Sequence, residues 1–372
     1  LKYCKSCLLP DSRPNLVIGE DGICNACKSH GTKKNIDWEY RKEQLIQVFN
    51  YAKKKSRSYD CIIPVSGGKD STWQVVKCLE FGLKPLAVTW KTPGRTFLGQ
   101  KNLDNLVSLG VDHIDYQINP KLESKFMLET LKKNGSTAIP MHLAMYNIPL
   151  RLAVQMEIPL VIWGENSAFE YGGTEEEAKG FKMDSAWLKK FGVTNGTTAI
   201  DWVSETLTKK ELSAYFGPTD EEMNSKGILA IFLGYYLPWD VQESLRVAKQ
   251  NGFQVREEGP MMGLYNYADI DDSFMSIHHW LKWYKFGITR LWDNLSLEIR
   301  NGRIDRDSAI NIIKNRKDET PLEDINKFCQ FAKIEVSEFF SIIEKFRNQK
   351  IWKKNGDKWT IPEFLISNWE WK

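Results

Sequence analysis

A short apolar run, Cys61-Ile62-Ile63-Pro64-Val65, leads directly into Ser66-Gly67-Gly68-Lys69-Asp70-Ser71. A helical pattern follows over 69–81, with Thr72, Val75, Val76 and Leu79 on one face and Gly82 as its stop. A strand that turns through two glycines into a helix start commits the chain to an α/β architecture. It also aims several backbone N–H groups, reinforced by the helix dipole, at one point where phosphate oxygens bind. Gly67 and Gly68 admit close backbone approach, Ser66 and Ser71 add hydroxyls, Lys69 adds positive charge and Asp70 a carboxylate suited to Mg²⁺. The loop is not of the Walker A kind, because Ile63 and Asp70 stand where Gly and Ser/Thr are required. Pro64 cannot donate to a sheet ladder, so it is expected at the strand end.

The pattern continues as strand and helix in alternation. Strands are expected at 85–90, 113–116 and 159–163, with helices at 36–57, 99–109, 121–133 and 141–156, the last interrupted at Pro149. This rhythm predicts a doubly wound parallel sheet. Residues 165–226 lose it and read as an insertion of loops and short helices. From 240 the chain reads as mainly helical, over 240–250, 272–286, 305–315, 321–332 and 335–348. The expected organisation is a cysteine module at 1–35, the α/β domain at 36–238 and a helical region at 239–372. Gly164-Glu165-Asn166 ends the fourth strand, where open α/β sheets place ligands. Glu165 is a candidate for holding Mg²⁺ and Asn166 for nucleotide or substrate, with a helix cap and an exposed carboxylate as the plainer readings. Thr89, Trp90 and Lys91 end the second strand and are candidates to border a base.

Cys4-x₂-Cys7 and Cys24-x₂-Cys27 have the spacing of a four-thiolate structural zinc ribbon, in which each pair clamps one edge of a tetrahedron. His30 is redundant as a fifth ligand. Cys61, Cys78 and Cys329 read as packing residues. Seven cysteines, an odd number, argue against a disulfide framework. The net charge of +3 offers no nucleic-acid footprint, and the run Lys53–Arg57 reads as a solvated helix end. No apolar stretch is long enough to span a bilayer, and the first residues lack a signal-peptide core, so a cytoplasmic protein is expected. The 14 tryptophans read chiefly as core residues.

The hexapeptide 66–71 resembles the signature of the PP-loop ATP pyrophosphatases, the adenine nucleotide alpha hydrolase-like fold. That resemblance implies ATP as cosubstrate, with Ser66, Gly67, Gly68, Lys69, Asp70, Ser71, Gly164 and Asn166 holding it and Lys69, Asp70 and Glu165 serving catalysis. Pro64–Ser71, Trp163–Asn166, Phe232–Asp240, Lys285–Asp293 and Glu298–Arg303 together resemble the N-acetyl sugar amidotransferases of bacterial surface-polysaccharide synthesis (the WbpG/PseA type). Ile288-Thr289 and Leu291-Trp292 depart from that pattern, where a second glycine and Ala-Thr are expected. The resemblance implies conversion of an acetamido group on a nucleotide-activated sugar to an acetamidino group. No G-x-C-x-G elbow is present, so ammonia is expected from partner subunits, which the resemblance implies are a glutaminase and a cyclase-like protein, with no nucleic-acid partner. Arg290 and Arg300 are the foremost candidates for sugar-diphosphate contacts, with Lys285, Asp293, Glu298 and Arg303 behind them and surface ion pairs as the plainer reading. His278 and His279 read as ordinary polar residues, and Asp269, Asp271 and Asp272 as helix caps. The competing reading is a PP-loop tRNA thiolase, which usually carries further cysteines at its active site.

Overall fold

The computed structural model describes residues 1–316 and 319–371. Its centre is a five-stranded sheet of β1 (Cys61–Pro64), β2 (Pro85–Trp90), β3 (Asp112–Tyr116), β4 (Leu160–Trp163) and β5 (Leu229–Phe232) in the order β3-β2-β1-β4-β5. Every neighbouring pair is parallel. From β1 the chain winds outward through β2 to β3, then returns to β1's other side with β4 and β5. The winding therefore reverses between β1 and β4, and the loops leaving those two strands diverge around a crevice.

Strand residues alternate between two cores. Cys61, Ile63, Leu160 and Ile162 pack with α2 (Trp38–Lys55), α3 (Lys69–Glu80), α4 (Phe97–Ser108) and α12 (Val241–Gln250), whose labels follow chain order. Ile62, Leu86, Val88 and Val161 face α5 (Pro120–Asn134), α6 (Ile139–Met156) and the insertion. Helix α6 runs unbroken through Pro149, contrary to the expected interruption. The hydrogen bond that Pro149 forgoes falls on Met145, an exposed position, while Ile148, Pro149 and Leu150 are all buried. Pro64 ends β1, and Val65 resumes the pairing with an N–H donated to Val88 O at 2.9 Å.

The insertion carries α7 (Ser167–Tyr171), α8 (Glu175–Ala178), α9 (Ser185–Phe191) and α10 (Asp220–Ser225). Its Trp187, Phe191, Trp202, Leu212 and Tyr215 complete the second core. Strand β5 and the short α11 (Leu233–Tyr236) follow it. The helical region comprises α13 (Ser273–Phe286), α14 (Arg290–Arg300), α15 (Arg306–Asn315), α16 (Leu322–Ala332), α17 (Val336–Glu344) and the hairpin β6 (Lys353–Asn355) and β7 (Lys358–Thr360). It is not separate from the α/β domain: Met127, Leu131 and Met141 of α5 and α6 share a core with Phe274, Ile277, Trp280, Phe328 and Phe339. The cysteine module, including α1 (Asn25–Gly31), likewise shares its core with α14 and α15 through Leu291, Trp292, Leu295, Ala309 and Ile313. Ile288, Leu291 and Trp292 are all buried there, so the sequence departure at 288–292 is one of packing.

Candidate active site

Gly67 has φ 87°, and a Cβ there would lie 2.7 Å from the backbone nitrogen of Leu103. Only glycine satisfies both the left-handed backbone and that approach of α4. The turn delivers Gly68 as the N-cap of α3, so the free N–H groups of the first turn open onto the crevice. Lys69 is buried, pairs with the carboxylate of Asp70, and lies 5.8 Å from the Trp239 ring centroid. Trp239 Nε1 donates to Asp70 Oδ1 at 3.1 Å.

Two cavities flank the loop. One, of about 370 Å³, is walled by Val88, Thr89, Trp90, Trp163, Gly164, Tyr146 and Trp187. Its aromatic and aliphatic walls suit a flat base. The other, of about 170 Å³, lies against Gly68, Lys69, Tyr171, Trp239, Tyr265 and Tyr267. Both are lined by Ser66, Asp70, Ser71, Glu165, Asp269, Asp271 and Arg290, so they are two lobes of one cleft with the candidate phosphate-binding groups at the junction. Trp90 is held by a bond from its Nε1 to Glu123 (2.8 Å), and Thr89 Oγ1 meets His113 Nε2 at 2.9 Å. Lys91 does not line the cleft.

Three of the groups at the junction arrive from far along the chain. Asp269, with φ 57°, accepts from Arg290 Nε at 2.9 Å. Although burial opposes its charge, Arg290 and His279 hold the Asp269 carboxyl well below the usual range. Asp271 stands near Ser66, and burial pushes its carboxyl up to about 6. Of the three aspartates expected as caps, only Asp272 is one, accepting from Phe274 N at 2.8 Å. Glu165 is pushed up to about 7, first by burial and then by the charge of Asp70. A carboxyl whose proton affinity is raised by a neighbouring carboxylate fits a divalent cation shared by the two, which would relieve the repulsion. His278 and His279 are buried in mid-helix beside His142, with ring centroids 5.6 and 5.1 Å apart along the row.

This wall is where comparison with known proteins becomes informative. Residues 264–365 match the family described as LPS biosynthesis protein WbpG-like, C-terminal domain. Over this segment the chain is similar to the WbpG type. Asp269, Asp271 and Arg290 all belong to the matched segment. No curated protein matches the chain. Nineteen solved chains match it in structure; one, an NMN synthetase from Francisella tularensis, is 13% identical, with 77% of this chain and 96% of that one covered at a TM-score of 0.33.

The remaining candidates of the WbpG-like segment are engaged elsewhere. Asp293 pairs with Arg13 and Lys282, both at 2.8 Å. Glu298 binds Arg303, which also reaches Asp240 at 2.8 Å. Lys285 donates to Gly135 O at 3.1 Å. Arg300 lies beside the cysteine module, outside the cleft. Asn166 caps α7 through Ala168 N (3.0 Å) and binds the carbonyls of Glu177 and Gly180, so it does not line the cleft either.

The ligand atoms of Cys4, Cys7, Cys24 and Cys27 all lie within 4.8 Å of one another, with Cys7 and Cys24 sulfurs 3.8 Å apart and Cys4 and Cys27 4.0 Å apart. Four thiolates around one Zn²⁺ stand about 3.8 Å apart, given bonds of about 2.3 Å in a tetrahedron. The tetrad fits the ion without His30, and backbone N–H groups of Cys24 and Cys27 point at its sulfurs. Cys61, Cys78 and Cys329 are buried away from the cleft, none of them among its lining residues.

Proposed function

We propose that the chain is an ATP-dependent amidotransferase that converts the acetamido group of a nucleotide-activated sugar to an acetamidino group. One observation carries this reading: the WbpG-like segment supplies Asp269, Asp271 and Arg290 to the same cleft as the phosphate loop. ATP would lie with its base against Thr89 and Trp90 and its β- and γ-phosphates on the N–H groups of Ser66–Ser71 and on Lys69. Asp70 and Glu165 would hold Mg²⁺, which when bound neutralises phosphate charge. Arg290, already oriented by Asp269, offers its remaining N–H donors to a sugar diphosphate.

In this reading the amide oxygen attacks the α-phosphate, the bond to the β-phosphate breaks, and pyrophosphate leaves onto the loop. Ammonia then adds to the imidate carbon, AMP departs with the former amide oxygen, and the amidine keeps the ammonia nitrogen. Adenylation is required because an amide is a poor electrophile with a poor leaving group. The protein's contribution is alignment and charge stabilisation. The cleft is lined by no cysteine among the described residues, which disfavours both a thiolase and a cysteine glutaminase at this site. In this reading ammonia comes from a partner glutaminase through a cyclase-like subunit, as the WbpG resemblance implies, in cytoplasmic synthesis of a surface polysaccharide.

The test supplies ATP, ammonium and UDP- or CMP-linked N-acetyl sugars. The expected result is one AMP and one pyrophosphate per turnover, and a sugar product one mass unit lighter. Thiolation of tRNA, with no turnover of any sugar nucleotide, would overturn the reading.

A further inference from the structure

We propose that Arg300 is the counter-charge of the metal-loaded cysteine tetrad and ties that centre to the wall of the phosphate lobe, rather than contacting substrate. The inference does not depend on which sugar is used. A divalent cation on four thiolates leaves a net charge of about −2. All but Cys27 of the four cysteines are fully buried, so that charge has little water to solvate it and calls for a nearby cation with donors to spare.

Arg300 meets that need. It ends α14, whose preceding turns pack against the cysteine module through Leu291, Leu295 and Ile299. Its Nε and Nη1 are buried without hydrogen-bond partners, although a guanidinium carries five N–H donors. Three other cations near the module have partners of their own: Arg306 Nε donates to Cys7 O at 2.8 Å, Lys28 pairs with Asp21, and Lys33 pairs with Glu170.

The third nitrogen gives Arg300 its second role. Nη2 donates to Glu170 O at 2.9 Å, on the helix that carries Tyr171 into the phosphate lobe. The Glu170 carboxylate holds Lys33 at 2.8 Å, Lys33 donates to Trp239 O at 3.3 Å, and Trp239 donates to Asp70. Arg13, from between the two cysteine pairs, holds the same helix through Tyr171 O at 2.9 Å. The module thus buttresses α7 at two carbonyls.

The experiment measures zinc content of the purified full chain and its transfer to a chromophoric chelator, for wild type, R300M, R300Q and R300K. One zinc per chain is expected, with transfer about 10–100-fold faster in R300M, as for loss of other groups that support metal ligands. R300K should retain zinc longer than R300Q, because the lysine keeps the charge; this ordering applies even if R300M does not fold. Unchanged transfer in R300M and R300Q would overturn the proposal, more so if KM for a sugar nucleotide rose instead. Purification without metal would overturn it too, and neither result touches the amidotransferase reading, which AMP release tests separately.

Discussion

Glu165 is a side chain that opposes stability at a position where the proposed function needs its charge. Its folded carboxyl titrates near 7 because burial and the charge of Asp70 penalise the anion, whereas the unfolded chain ionises it near 4.3. The folded state therefore binds the extra proton between these values. Stability contributed at this site is present below the unfolded value and is lost as pH rises toward about 7. Glu165→Gln keeps the neutral shape, so the ligand-free variant should be more stable than wild type at pH 8, by up to roughly 3 kcal/mol, with the two melting temperatures converging below about pH 4. The same variant should lose AMP formation by about 100-fold or more, since the cation and the nucleotide need the anion. Thermal melts across pH, paired with pyrophosphate release, check both halves. Equal melting temperatures at pH 8 would mean that Glu165 is not held neutral in the fold.

At the scale of elements, β1, its glycine turn and α3 form the part of the site most legible in the sequence, because strand, turn and helix are contiguous and each has a local signature. Gly67→Ala tests that unit. A left-handed alanine costs about 1–2 kcal/mol, and its Cβ would press on the Leu103 backbone 2.7 Å away. Binding of a non-hydrolysable ATP analogue should weaken at least about 10-fold, by calorimetry, with the secondary structure retained. Helix α14 was far less legible. Its motif read as one patch of recognition residues, yet Arg290 and Arg300 stand ten residues apart, about 15 Å along the axis. One end lines the cleft and the other abuts the cysteine tetrad. Asp269 and Asp271 escaped for a related reason. Close to a helix start they read as caps, and only the contact of that loop with the phosphate loop, about 200 residues earlier, turns them into the cleft. Arg290→Ala would leave Asp269 with only His279 beside it, a loss on the order of 3 kcal/mol. Arg290→Lys should retain most of the fold while raising KM for the sugar nucleotide more than KM for ATP, because a lysine lacks the two-pronged grip on a diphosphate. A change confined to KM for ATP would instead place Arg290 on the nucleotide.

The three regions visible in the sequence do not have three cores. The tetrad's neighbours are α14 and α15, and α5 and α6 share apolar side chains with α13, α16 and α17. The reason lies in the cysteine module itself: its buried Leu8, Leu9 and Leu16 amount to too little apolar surface for an independent fold, and the two amphipathic helices α14 and α15 cover them. Cores shared in this way predict one cooperative thermal transition by calorimetry rather than a stepwise loss of module, helical region and sheet. They also predict what metal removal does. A ligand bound only by the folded state stabilises it by about 4 kcal/mol when present at a thousand times its dissociation constant. With a strong chelator present, the whole transition should therefore move down by roughly 5–10 °C and remain single. If a small early transition split off instead, leaving the main one in place, the cysteine module would be a separate folding unit. The tetrad would then not buttress α7 against the phosphate lobe.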